Sequence, residues 1–351
     1  MRKVKWGVVG AGGIADRRTI PGMMLAKNAE LVAVMEINME FAERIRAKYG
    51  AKYAYDNALD LINNPEVEAV YVASPVLYHV EPAIAAAKAG KPLLCEKPIA
   101  ITCEKCKAVI DACHEAKIPA ATGFMMRYGA YNMAIKKLIE DGKLGQIVSA
   151  RSQFTCWYPD IPGAWRQDKA QSGGGALMDL GVHCIDILEY LTGGKTKEVS
   201  AFIDTKTFNY NVDDSSSVMI KMDNGVVGYI DNHFNVPDNA ARCRLEIYGT
   251  KGSVMAENTL GQEDGGRVEV ILSEDKEYDA NQTRIENQKK DPEFKLNVEF
   301  GNMYTREIES FSDSILNGTP VNVPIEDAVH IQSVIEAAYR SSESGKVEKC
   351  D

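Results

Sequence analysis

Short apolar runs alternate with amphipathic stretches along the first third of the chain. Val4–Val9 has the character of a buried strand, and similar runs follow at Leu31–Met35, near Tyr53, and at Ala69–Ala73, Leu93–Cys95 and Pro119–Gly123. Stretches with helical spacing lie between them, near residues 39–48, 56–63, 79–90 and 103–116. Apolar strands joined by helical crossovers predict a parallel sheet with helices on both faces. After residue 123 the pattern changes. A helix ending near Gly142 gives way to strand-like runs at 147–157, 199–205, 215–222, 226–232 and 243–248, with the turn signal Asp223-Asn224-Gly225 between two of them. Such spacing reads as antiparallel pairing. The polar stretch 261–287 reads as a loop, and helices near 298–316 and 326–342 close the chain. The expected fold is α/β: an N-terminal doubly wound parallel sheet over residues 1–123, then an α+β domain over 124–351 with a large, mostly antiparallel open sheet. Few helices follow residue 142, so one sheet face lacks intrachain cover, and a homodimer or homotetramer through that face is expected.

Composition narrows the ligand. The 351 residues carry a formal net charge of -10 with 45% hydrophobic and 26% charged residues, an ordinary globular balance. An acidic chain lacks the basic face that nucleic acid or an anionic membrane surface selects, so neither partner is expected, and a small ligand that is not strongly anionic suits it better. The opening Met-Arg-Lys-Val-Lys runs straight into a strand pattern, and the eight cysteines lie far apart, as suits reduced thiols; a cytoplasmic location is expected. Cys103, Cys106 and Cys113, with His114 following, share one helix, whereas a tetrahedral metal site draws ligands from several elements. They read as packing residues, and no metal site is expected.

Two stretches carry candidate chemistry. The first is Gly10-Ala11-Gly12-Gly13-Ile14-Ala15, a G-x-G-x-x-A dinucleotide fingerprint in its proper context of strand before and helix after. Gly10 permits the tight turn, Gly12 lets backbone approach a pyrophosphate, and Ala15 lets the helix pack on the sheet. The second apolar run ends in Glu36, at the distance where an acid binds the adenosine ribose. No basic residue stands at Ile37, Asn38 or Met39 to hold a 2'-phosphate, so NAD is expected over NADP. Leu93-Leu94-Cys95 ends in Glu96-Lys97-Pro98, which puts a charged pair at the carboxyl end of a strand, where open parallel sheets bind ligands. The other stretch is Ser172-Gly173-Gly174-Gly175, feeding a helix on which Asp179 and His183, four apart, share a face. On spacing alone that favours a packed histidine satisfied by its neighbouring carboxylate over a proton-transfer pair, with a metal pair a minor alternative because no third ligand stands at suitable spacing.

Together with Ser74-Pro75 and His79, Gly123-Phe124-Met125-Met126-Arg127-Tyr128, and Trp165-Arg166, these motifs resemble the Gfo/Idh/MocA family, and the match spans nearly the whole chain. The resemblance implies a Rossmann domain, an open sheet that mediates dimers or tetramers, and Lys97, Asp179 and His183 as the catalytic set. Cofactor contacts are expected from Gly10, Gly12, Gly13, Ile14, Glu36, Ser74, Pro75, His79, Glu96 and Lys97. Arg127, Tyr128, Tyr158, Trp165 and Arg166 are candidates for the substrate wall. Val76 stands where many members carry asparagine, which removes one expected cofactor contact. The implied activity is NAD-dependent oxidation of a secondary hydroxyl in a sugar, glycoside or cyclitol, with His183 as base and Lys97 stabilising the alkoxide. An NAD-dependent glycosidase working by transient oxidation and elimination, and a non-catalytic NAD-bound sugar sensor, are the alternatives.

Overall fold

The computed structural model describes residues 2–273, 278, 280 and 294–350. In it β1 (Val4–Val9), β2 (Ala29–Met35), β3 (Tyr53–Tyr55), β4 (Ala69–Val72), β5 (Leu93–Glu96) and β6 (Ala120–Gly123) form one parallel sheet in the order β3-β2-β1-β4-β5-β6. The order reverses between β1 and β4, which opens a crevice at their carboxyl ends. Strands β4, β5 and β6 are buried along their whole length, consistent with cover on both faces. Helices α1 (Ile20–Leu25), α2 (Met39–Tyr49), α3 (Ala58–Asn63), α4 (Val80–Lys88) and α5 (Cys103–Ala116) supply that cover. Local chemistry sets several starts: Asn38, Asn57 and Thr102 accept from the backbone N–H groups of Phe41, Leu59 and Lys105 and so cap α2, α3 and α5. Cys106 and Cys113 are sealed in the core beneath α5, as packing residues should be.

The remaining elements are α6 (Ala130–Glu140), β7 (Ile147–Thr155), α7 (Lys169–Ser172), α8 (Val182–Thr192), β8 (Thr196–Asp204), β9 (Ser215–Met222), β10 (Val227–His233), β11 (Arg244–Gly249), β12 (Gly252–Glu257), β13 (Arg267–Leu272), α9 (Met303–Asn317), α10 (Glu326–Ser344) and β14 (Glu348–Lys349). Their strands form a second sheet in the order β13-β12-β11-β7-β10-β9-β8-β14, antiparallel except where β7 meets β10. One face packs on α8, with Ile185, Leu188, Ile220 and Ile230 in the shared core. The other face carries outward Phe202, Met219 and Tyr229, which are 81%, 45% and 47% exposed.

Two expectations change. Strand β13 falls inside the polar stretch read as a loop; its alternation buries only Val270, too short an apolar signal to stand out. Residues 274–277, 279 and 281–287 of that stretch lie outside the described residues. The last helices also do not serve the second sheet alone. Ile308 and Phe311 of α9 join the core against Trp6 of β1, Trp6 Nε1 donates to Ser312 Oγ at 3.2 Å, and Ala121 bridges to Pro324. The first sheet is therefore completed by the end of the chain.

Candidate active site

The crevice of the first sheet is shaped for a dinucleotide. Gly10 has φ +76°, and a Cβ there would lie 2.4 Å from the Ser74 nitrogen. The fingerprint turn is thus held against the loop after β4 by a contact only glycine allows. At Gly12 a Cβ would come within 2.9 Å of both the Glu36 carboxylate and the Phe41 ring. Gly12 N–H already donates to Glu36 Oε1 at 2.7 Å, so the acid stands directly at the turn. Ile14 packs against the core and the chain continues as a π-type turn over Ala15–Thr19 before α1. A backbone approach at Gly12, with a carboxylate beside it, fits the pyrophosphate and ribose of NAD.

Two further strand ends are locked together by His79. Its buried ring meets the Pro98 carbonyl through Nδ1 at 3.0 Å and the Ser74 carbonyl through Nε2 at 2.5 Å. Burial lowers its pKa to about 4, against the pull of those carbonyls. His79 therefore clamps the Ser74-Pro75 and Lys97-Pro98 loops from beneath; it does not face the crevice. Glu96 is likewise turned inward, accepting from Tyr71 Oη at 2.5 Å. Val76, in the place of the expected asparagine, lines the cleft with an apolar side chain.

Lys97 projects from the end of β5 to the second domain. Its Nζ donates to the main-chain oxygen of Asp179 at 3.0 Å and to Oδ1 at 3.1 Å. Arg166 approaches the same Oδ1 at 3.5 Å and stacks on Trp165, its Cζ 4.3 Å from a ring centroid. Burial pushes the Asp179 carboxyl up, but Lys97 and Arg166 outweigh it and hold it far below the usual range. His183, in edge contact with Phe124 and Phe154, is neutral: burial first, then Lys97, lowers its pKa well below the usual value, with Asp179 opposing. Its Nδ1 is sealed with no hydrogen-bond partner among the described residues, which leaves Nε2 as the nitrogen able to exchange a proton with a ligand.

The segment carrying Asp179 is not a plain α-helix. Leu177–Gly181 forms a π turn that leads into α8. The extra residue per turn breaks the four-residue register, and no hydrogen bond joins Asp179 to His183; the carboxylate is spent on Lys97 and Arg166. Such turns recur at functional sites. The glycine run before it is held by Asp213, a residue missed in the sequence: Oδ1 and Oδ2 accept from Gly175 and Leu177 N–H, each at 2.8 Å, and Oδ1 from Tyr339 Oη at 2.6 Å. A Cβ at Gly175 would meet the Asp213 carbonyl at 1.8 Å, which explains the glycine. Adjacent acids at a strand start were the available signal.

Of the five candidates for the substrate wall, three gather at the cleft. Trp165 and Arg166 line it with Val76, Pro98 and Asp179, and Tyr158 lies alongside, close enough for Arg166 to act on its phenol. The other two are corrected. Arg127 Nε donates to both Asp186 oxygens at 3.0 Å and Nη2 to Asp327 at 2.7 Å, deep between α8 and α10. Tyr128 is buried against α9, with its hydroxyl 3.3 Å from Ser310 Oγ. Both residues follow β6 but turn inward because acids and apolar surface from later helices receive them. Among the described residues, no group of three or more His, Cys, Asp and Glu side chains is placed to hold a metal ion, and no helix is long and apolar enough to cross a membrane.

A dinucleotide crevice facing a Lys-Asp-His cluster across a domain junction defines an oxidoreductase of the NAD-binding kind. Comparison with known proteins agrees. Residues 4–124 match the oxidoreductase family model for the NAD-binding Rossmann fold, and residues 132–255 match the GFO/IDH/MocA C-terminal domain. Glucose-6-phosphate 3-dehydrogenase of Bacillus subtilis is 34% identical over 72% of this chain and 73% of its own. The crystal structure of aldose-aldose oxidoreductase from Caulobacter crescentus, complexed with glycerol, superposes with a TM-score of 0.88 at 27% identity, covering 99% of this chain and all of that one. Levoglucosan dehydrogenase in complex with NADH and levoglucosan gives 0.85 at 26% identity, over 99% of this chain and all of the other. The chain belongs to the Gfo/Idh/MocA family of oxidoreductases.

Proposed function

We propose that the protein is an NAD-dependent dehydrogenase that oxidises a secondary hydroxyl of a sugar, glycoside or cyclitol. The observation that supports this reading is the contact of Lys97 Nζ with Asp179 Oδ1, with the neutral imidazole of His183 near enough to feel both charges. The unit through residue 123 holds the cofactor and the unit from 124 holds the substrate. When bound, the nicotinamide accepts the hydride. Everything else falls to the chain. Lys97 has three donors; two face Asp179, and the third is free to hold the reacting oxygen and stabilise its alkoxide character. His183 Nε2 takes the hydroxyl proton. Asp179 tethers Lys97 and offsets the positive charge that builds up on His183. The room left in the cleft between Val76, Trp165, Arg166 and Asp179 is about 10 Å³, less than a polyol needs, so substrate entry requires these walls to part.

The polyol class is supported by the names of the relatives, levoglucosan dehydrogenase and aldose-aldose oxidoreductase among them. A cytoplasmic setting suits eight cysteines scattered along the chain, and the open sheet face with Phe202, Met219 and Tyr229 suits a homodimer or homotetramer. Light scattering at micromolar concentration checks the assembly; a monomer mass would remove it. The function is tested by following reduction of NAD and NADP with inositols, aldoses, anhydrosugars and glucosides. Turnover with at least one polyol, and faster with NAD than NADP, is expected. No reduction of either cofactor across the panel would overturn the reading.

A further inference from the structure

Behind the glycine run lies a second cavity that the proposed reaction does not use. It holds about 220 Å³ between the end of β8, the loop before β9, Lys169 of α7 and Tyr339 of α10. Side chains alternate along β8: Phe202 faces outward on the open sheet, whereas Ile203 turns inward against the core and lines the cavity. The cavity is therefore on the helix side of the sheet, away from the open face. Gly174 lines this cavity and the cleft alike. A Cβ there would overlap the Tyr339 hydroxyl, so the phenol rests directly on the backbone that divides the two spaces.

The walls are fixed in advance. Asp214 accepts from the backbone N–H groups of Lys206, Thr207 and Phe208 at 2.9, 2.7 and 3.0 Å, and Thr205 Oγ1 donates to the Val212 carbonyl at 2.7 Å. These bonds hold the loop 205–212 closed on itself. Asn211 Oδ1 accepts from Lys169 N–H at 2.7 Å and ties that loop to α7. On the α10 side, Ile203 N–H donates to Ser342 Oγ at 2.9 Å and Tyr339 Oη to Asp213 Oδ1 at 2.6 Å. A cavity held by these bonds is formed before a ligand arrives, which spares the cost of ordering its walls.

The chemistry of the lining defines the ligand. Lys169 can only donate, and Asn211, whose oxygen receives Lys169 N–H, has an amide to donate. Asp204 accepts, with one oxygen engaged by Thr205 N–H at 2.8 Å. The Tyr339 and Thr205 hydroxyls have given their hydrogens to Asp213 and Val212 and keep oxygens that accept. Ile203 and Val212 add apolar surface. Hydroxyl groups on a ring match such a lining, because each gives and takes hydrogen bonds while the C–H faces of the ring pack on the apolar side chains. An anion does not match it, since one lysine stands with two carboxyl groups, Asp204 and Asp213. The volume lies below the roughly 300–1,000 Å³ of drug-sized pockets and suits a single ring. We propose that this cavity binds one uncharged polyhydroxylated ring, a monosaccharide or cyclitol, as a second site beside the cleft. This goes beyond the dehydrogenase reading and does not rest on it, since the lining alone selects the ligand. The site also bears on the cleft through its wall: Asp213 receives Gly175 N–H and Leu177 N–H at 2.8 Å each, so a ligand bonded to Tyr339 touches the hydrogen-bond chain that fixes the turn carrying Asp179.

The test is hydrogen–deuterium exchange read by mass spectrometry on the full chain without cofactor, with D-glucose and with myo-inositol at millimolar concentration and inorganic phosphate as the control. At least one of the two rings should slow exchange over 203–213 severalfold, and phosphate should not. Thr205→Trp, at an exposed position of the lining, fills the cavity and should abolish the slowing. Lys169→Ala, also at an exposed position, should raise the concentration of ring needed by about tenfold, as loss of one hydrogen bond to a charged group would, and it serves if the tryptophan variant does not fold. Unchanged exchange over 203–213 with both rings, equal slowing by phosphate, or slowing that persists in Thr205→Trp would overturn the proposal and leave the dehydrogenase reading standing.

Discussion

Lys97 and Arg127 follow neighbouring strands of one sheet and each meets aspartates from later elements, yet their surroundings differ. Arg127 is enclosed: Asp186 and Asp327 take its guanidinium hydrogen bonds, Tyr190 lies under it at 5.3 Å, and its side chain is 9% exposed. Its Nε and Nη2 donors both go to these carboxylates, so it ties α8 and α10 to the turn after β6. Lys97 meets Asp179 at the cleft with one donor to spare, and Asp179 is shared with Arg166. The same kind of ion pair is thus sealed between buried carboxylates at Arg127, whereas at Lys97 it lies beside a cleft, where the proposed chemistry would use it.

This contrast can be broken in both directions, and the largest effect is expected at Arg127. Arg127→Ala should destabilise the fold by roughly 3–5 kcal/mol, because Asp186 is left buried without its cation. Urea unfolding would show it, and the variant that remains folded should bind substrate nearly normally. A normal unfolding midpoint with a raised KM would instead return Arg127 to the substrate wall.

At the cleft the pattern should reverse. Lys97→Ala and His183→Ala should each lower kcat by on the order of 10² or more while unfolding near the wild-type midpoint. The double variant should be little worse than the poorer single one, since both groups serve one proton transfer. Steady-state kinetics on the best polyol would check it; near-normal turnover in His183→Ala would remove the base.

His79 stands between these extremes, because it is buried but supports the site. Its folded pKa of about 4 lies below the unfolded value, so the unfolded chain binds more protons and stability falls as pH drops from the ordinary histidine range toward 4, by up to about 1.4 kcal/mol per pH unit. Thermal melts of His79→Gln should lose that acid slope. The smallest effect is expected at the far end of the crevice. Glu36→Ala should narrow the preference for NAD over NADP by about tenfold, as loss of one charge-assisted contact would. Cofactor titrations would show it, and wild type that prefers NADP would contradict the assignment.

The parts of the molecule that were legible in sequence are those written locally. The fingerprint is one contiguous motif, readable as such although its glycines answer contacts at Ser74, Glu36 and Phe41, and the first sheet and strands β7 to β11 of the second follow from period and run length, whereas β12, β13 and β14 do not. Lys97, Asp179 and His183 converge although the helix expected to carry the last two begins as a π turn, a detail that periodicity does not encode. Arg127 and Tyr128 were misjudged because their partners, Asp186, Asp327 and Ser310, are remote in sequence, and nothing in a motif says which way a side chain turns. Asp213 and the return of α9 to the first sheet share that cause. Each depends on contacts between segments remote in sequence.

The most direct test of the central claim is isotope transfer. The protein is incubated with NAD and the best polyol of the panel, deuterated at its carbinol carbons, and the reduced cofactor is analysed by mass spectrometry. Dehydrogenation as described predicts one deuterium in NADH for each ketone formed, abolished in His183→Ala. Hydrolysis of a glycoside with no labelled NADH accumulating, or cofactor left unreduced in the presence of bound polyol, would contradict it.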